Sequence, residues 1–206
     1  MILNEVREMV EKSWTDETCS LGLKDIWTKD NKALGQCAVT ALIVNDFLGG
    51  KIMRCMCETG SHYYNLINNE VIDLTDSQFK VIPDYTLGEE SAREYLLSNI
   101  DTKTRYLLLL KNVKGNFLKH GKKEYKLMSI NGEYLSKIPG TLGGNKKLKI
   151  YGKLDCKSAL NWIQKGKYVK TRVFFEDQQT AIEAGYRPCG ICMKKEYQKW
   201  KKLYNL

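Results

Sequence analysis

The sequence has no apolar run of about 18 residues, and its opening stretch, MILNEVREMVEKSW, lacks the basic-then-apolar layout of an export signal. These absences argue against a membrane protein and lead us to expect a soluble, cytoplasmic chain. Proline is scarce, at three of 206 residues, and no repeat or low-complexity tract occurs, which excludes a solenoid or a linker-dominated chain. Histidine is scarcer still: His62 and His120 are the only two. Imidazole chemistry in the first half of the chain therefore has to pass through His62. Cysteine lacks even parity, with seven residues, and in a chain without an export signal this argues against a disulfide framework and for thiol or metal chemistry.

What is present is a globular composition, 43% hydrophobic, enough for one medium domain or two small ones. The net charge of +9 is unevenly spread. Residues 1–110 hold 11 basic and 17 acidic residues, net −6, whereas residues 111–206 hold 22 and 7, net +15. Opposite fields point to two domains with different partners, and the basic, apolar-poor segment KGNFLKHGKKEYK places their boundary near residue 116, giving domains 1–116 and 117–206. The basic half favours a polyanion, with DNA the first candidate and a lysine-rich solubilising surface the alternative.

Leu3, Val6, Val10 and Trp14 follow the helical period, and CAVTALIVNDFLGG predicts a mostly buried helix starting at Cys37 and capped by Gly49 and Gly50. KIMRCMCE, SHYYNLIN and EVIDLT predict an antiparallel meander. GEESAREYLLSNI and TKTRYLLLLKNV predict two helices. In the second half, EYKLMSINGEYLS predicts a hairpin around Asn131-Gly132, IPGTLGGNKK a loop, SALNWIQKG and DQQTAIEAG short helices, YVKTRVFFE a strand and KEYQKWKKLY a final helix. The expected fold class is α+β in both domains.

Cys37 stands where a helix begins, and the positive end of a helix favours a thiolate. His62 and Asp73 follow on adjacent expected strands. Cysteine on a helix with histidine and aspartate on a sheet is the arrangement of thiol nucleophiles, in which the imidazole takes the thiol proton and the carboxylate fixes its orientation. Backbone N–H groups at the helix start, with Gln36 or Asn31 as a side-chain donor, are candidates for an oxyanion hole. A packed cysteine, a structural histidine and a turn aspartate are the alternatives. Cys55 and Cys57 share one strand face, where packing and a redox role are both open.

GQC, GSHYYN and VIDLT together resemble the corresponding segments of transglutaminase-like and papain-like folds. More closely, GQCAVTAL, GSHYYNLI, VIDLTDSQF and YLLSNIDTKTRYLLLL resemble the YunG-like family over roughly residues 1–112. These resemblances imply a papain/transglutaminase-like domain with a small antiparallel sheet, while the Cys37, His62 and Asp73 arrangement itself is what points to a thiol-dependent hydrolase or acyltransferase acting on a small-molecule or peptide substrate. The step of eleven positions from His62 to Asp73 is shorter than usual in transglutaminase cores and allows only a tight hairpin.

YRPCGIC carries a C-x-x-C pair that can grip a metal, cycle as a redox pair or simply pack. Its surroundings, RVFFEDQQTAIEAGYRPCGIC, resemble the metal-binding domain of the bacterial Ada DNA-alkylation-response protein over about residues 125–202. That resemblance implies a small α+β zinc domain with Cys189 and Cys192 as ligands, joined by Cys156, the only other cysteine of this half, and phosphate contacts from Lys146, Lys147, Lys149 and Arg187, with Lys165, Lys167 and Lys170 nearby. A second upstream cysteine is missing, which leaves Asp155, His120, a cysteine of the first domain or water as the fourth Zn2+ ligand. The leading expectation is therefore a zinc-binding, DNA-associated protein; the alternatives are a thiol-dependent hydrolase or acyltransferase with the zinc domain as a docking module, and a non-enzymatic interaction protein.

Overall fold

The structure, a computed structural model, describes residues 3–58, 60–121 and 123–203 and divides into two compact units, Met1–His120 and Gly121–Leu206. The expected boundary near residue 116 falls inside a helix. Val113 and Phe117 continue the buried face of that helix, so it runs on to His120 before the chain leaves the unit.

The first unit is built on α2 (Cys37–Leu48), in which seven of the twelve residues are buried. Helix α1 (Leu3–Glu11) adds Val6, Met9 and Val10, and α4 (Ile100–His120) adds Leu109, Val113 and Phe117. Each large apolar side chain of this set contributes about 1.5–3 kcal/mol on burial. Strands β1 (Lys51–Cys57), β2 (Gly60–Ile67) and β3 (Glu70–Ile72) form the expected meander, and α2 packs against β2 and α4. The β2–β3 turn is tight because Asn68 and Asn69 both adopt positive φ, 52° and 67°, a conformation asparagine tolerates.

One expectation fails at the sheet edge. Glu89–Ser91 is not a helical first turn but strand β4, antiparallel to β1, and the helix α3 (Arg93–Ser98) starts only after it. Acidic residues look the same in either role. Here Lys51 Nζ lies 2.6 Å from Glu90 and Arg54 4.0 Å from Glu89 across the pair. The sheet order is β3-β2-β1-β4.

The second unit opens with the hairpin β5 (Tyr125–Ser129) and β6 (Gly132–Ser136). A four-stranded sheet follows, order β10-β8-β7-β9, from β7 (Leu142–Asn145), β8 (Ile150–Lys153), β9 (Arg172–Phe175) and β10 (Arg187–Pro188), with only β10 parallel to its neighbour. Helices α5 (Lys157–Gln164), α6 (Gln178–Glu183) and α7 (Lys194–Leu203) complete it. The stretch around Gly143-Gly144, expected as loop, is the interior strand β7, paired with both β8 and β9. A side chain at position 144 would meet the Phe175 ring at 2.6 Å, so glycine is what lets that ring pack onto the sheet. Tyr151, Val173, Phe175, Ala181, Tyr186 and Met193 form the core. Both units are α+β, and no described helix is long and apolar enough to cross a membrane.

Candidate active site and metal centre

Cys37 is the first residue of α2 and is partly exposed. The turn before it requires Gly35, at φ 69°, where a side chain would strike Cys19 Sγ at 2.6 Å and Ser20 Oγ at 2.8 Å. His62 on β2 is 1% exposed, and its Nε2 lies 2.5 Å from Oδ2 of Asp73, which follows β3 and is 8% exposed. The tight Asn68-Asn69 hairpin makes the short eleven-residue spacing sufficient to bring these two together. Asp73 is held by three further donors. Thr75 gives its N–H and hydroxyl to Oδ1, each at 2.8 Å, and the Tyr85 hydroxyl donates to Oδ2 at 2.9 Å.

Burial alone pulls the His62 pKa down, but the bond to Asp73 and the nearby Cys37 sulfur outweigh it and push the imidazole up to about 9. Burial likewise works against the Asp73 carboxylate, yet its bond to His62 and the Thr75 donors hold it below the usual aspartate value. Burial and the adjacent carboxylate raise the Tyr85 phenol, so it stays a donor. The second ring nitrogen, Nδ1, is buried without a completed hydrogen bond. Cys37 is close enough to this imidazole to favour its charged form, although Nδ1 makes no hydrogen bond of strict geometry. Phe79 closes the site with its ring edge-on to His62, centroids 4.7 Å apart.

Other expected members are placed differently. Gln36 is fully buried with Nε2 donating to the Thr15 carbonyl at 2.9 Å, so that side chain braces the core instead of opening toward a substrate oxygen. Asn31 borders a separate polar cavity with Glu8, Lys12 and Trp14. Cys55 faces His62 in strand register and is buried, and burial raises its thiol pKa; Cys57 Sγ donates to the Gly60 carbonyl at 3.1 Å. Thr75, Phe79 and Tyr85 escaped the sequence reading. Only Thr75 left a signal, as a hydroxyl residue two positions after an aspartate.

The YunG protein family profile matches residues 2–118, the span that carries every element of this constellation. The chain belongs to the YunG family. An uncharacterized YunG protein of Bacillus subtilis (strain 168) is 30% identical over 105 residues, covering 51% of this chain and 87% of that protein. No solved structure matches the chain. The family match ends within α4, so the second unit is read from its own residues.

There, Cys156, Cys189 and Cys192 place their sulfurs within 4.8 Å of one another, Cys156 and Cys189 at 4.0 Å. Cys156 is the N-cap of α5, and Cys189 is fixed by its N–H donating to the Tyr151 carbonyl at 2.8 Å, beside the parallel β8–β10 pair. The Lys153 N–H points to Cys192 Sγ at 3.4 Å and the Ile191 N–H to Cys189 Sγ at 3.5 Å. Burial acts to raise the Cys189 thiol, but the N–H donors of Cys192 and Ile191 prevail and lower it. Burial, then the two neighbouring sulfurs, raise the Cys192 thiol above its ordinary value despite the opposing Lys153 N–H. Gly152 makes room for the cluster, since a side chain there would sit 2.7 Å from Cys192 Sγ. These sulfurs are close enough to hold one metal ion, and thiolates select soft or borderline metals. Among the described residues Asp155 is not part of the cluster, and His120 closes the other unit.

The candidate phosphate contacts are partly committed elsewhere. Lys149 Nζ lies 4.4 Å from the Tyr186 ring centroid, Lys146 reaches Glu133 at 3.4 Å, and the Arg187 guanidinium lies 5.3 Å from Tyr197 and 5.6 Å from Trp200. Lys147, Lys165, Lys167 and Lys170 are exposed.

Proposed function

We propose that the first unit is a thiol-dependent hydrolase or acyltransferase and that the second is a metal-binding module. The buried bond between His62 and Asp73, with Cys37 beside the same imidazole, is the observation that carries this reading. A structural histidine has no need of a carboxylate held by three further donors or of a ring kept charged next to a helix-start thiol. In the proposed reaction the Cys37 sulfur adds to a substrate carbonyl carbon and the carbonyl π pair moves onto oxygen, where N–H groups at the start of α2 receive it. Collapse breaks the bond to the amine or alcohol, which leaves with a proton from His62. His62 then removes a proton from water or an acceptor amine as that nucleophile takes the acyl group from sulfur.

The test is alkylation followed by peptide mass spectrometry. Iodoacetamide should modify Cys37 well below pH 8, and His62→Ala should slow this by about 10²-fold or more. A Cys37 that is inert until pH 9 would rule the reading out. Cys156, Cys189 and Cys192 are proposed to bind Zn2+, which on three thiolates would tie the start of α5 to the turn after β10 and offer a Lewis-acid position.

A second reading, that the metal module associates with DNA, is favoured by the net +15 of residues 111–206 and by the Ada resemblance. Its signature is affinity that falls steeply with salt, and a flat response removes it.

A further inference from the structure

A cavity of about 350 Å³ opens in the second unit, within the size range of small-molecule sites. Lys153, Lys167 and Arg172 border it, and among the described residues no acidic side chain does. Trp162 and Tyr168 supply aromatic wall, with Trp162 left 49% exposed. Arg172 is the unusual member. It is partly buried, its Nε has no hydrogen-bond partner, and among the described residues no carboxylate pairs with it. Its guanidinium lies instead 5.9 Å from the Tyr168 ring centroid and 5.0 Å from that of Phe174. A cation withdrawn from water without a counter-ion is unfavourable, and an anion in the cavity would relieve that cost. Lys167 Nζ, 5.8 Å from the Trp162 centroid, adds a second positive charge beside the same aromatic wall.

We propose that this cavity binds a small aromatic anion, a planar ring bearing a carboxylate, with Arg172 and Lys167 meeting the charge and Trp162 and Tyr168 flanking the ring. The recognising groups are distinct from the three sulfurs, so the site does not depend on the metal reading. Cys156 and Cys189 nevertheless form part of the wall, which puts the ligand against the thiol cluster.

Calorimetric titration of the full chain with 2-naphthoate tests this, using neutral 2-naphthamide as the control. One-to-one saturable binding is expected, with the amide at least about tenfold weaker. Trp162→Ala and Arg172→Gln should each weaken naphthoate by about tenfold or more; the first alters a half-exposed residue, and circular dichroism verifies that both variants fold. No saturable binding at millimolar naphthoate, equal affinity for the amide, or undiminished binding in folded Trp162→Ala would each overturn the proposal. Metal content measured on the same samples, before and after chelation, reports separately on the cluster: naphthoate binding retained by metal-free protein supports the cavity site whatever the metal result.

Discussion

His62 concentrates the chemistry of the first unit, and its titration has a definite sign. The folded-state pKa of about 9 lies above the ordinary 6.5, so the stability His62 contributes is complete below pH 6.5 and is lost as pH rises through about 9. Asp73 is lowered from 3.8, so its contribution is complete above that value and is lost as pH falls through the lowered folded-state pKa. Between about pH 4 and 6.5 both are in force. An NMR titration of the His62 ring should show its inflection near 9, and urea unfolding should show stability declining from neutral pH toward that point. Asp73→Ala strands the buried imidazole and should cost about 3–5 kcal/mol in urea unfolding, with the His62 inflection moving down. The histidine and the aspartate were legible in the sequence because each type is rare or well placed there. Tyr85 was not, because a hydroxyl reaching back 12 residues through an irregular loop leaves no periodic trace.

Strand β8 shows what an element must do to serve a site. Its Gly152 allows two sulfurs to approach the backbone closely, and the Gly152→Ala variant would place a methyl group 2.7 Å from Cys192 Sγ and 3.1 Å from Cys189 Cβ. The neighbouring backbone must then give way. We expect Gly152→Ala to lose most of its bound metal while the far-ultraviolet dichroism stays near wild type; full metal occupancy in the variant would contradict the packing argument. Helix α1 could be read from its period and α2 from its long apolar run and glycine cap, whereas α4 runs well past its expected segment. The strands β4 and β7 could not be read, since GEES carries the acidic signature of a helix start and LGGN the glycines of a loop. Pairing with β1 decides the first, and the Phe175 ring decides the second.

At the scale of the whole molecule, the chain joins a YunG-family unit to a smaller one whose core holds only a handful of large side chains. A metal bound by three thiolates would add directly to the folding free energy of that smaller unit. Chelation should therefore speed limited proteolysis within residues 121–206 and leave the fragment ending near His120 intact, as gel analysis and mass spectrometry would reveal. Unchanged cleavage after verified metal removal would show that the module folds without it. The sequence by itself determined the α+β class, the division of charge, the cysteine, histidine and aspartate of the first unit, and the three cysteines of the second, because composition and local spacing carry those. Only the tertiary structure decided that an eleven-position step suffices to join His62 to Asp73, that Gln36 turns into the core, that Arg187 and Lys149 lie against aromatic rings, and that Arg172 borders a cavity with no carboxylate partner among the described residues. Those outcomes depend on which distant side chains arrive at the same place, and long-range packing sets that where local pattern does not.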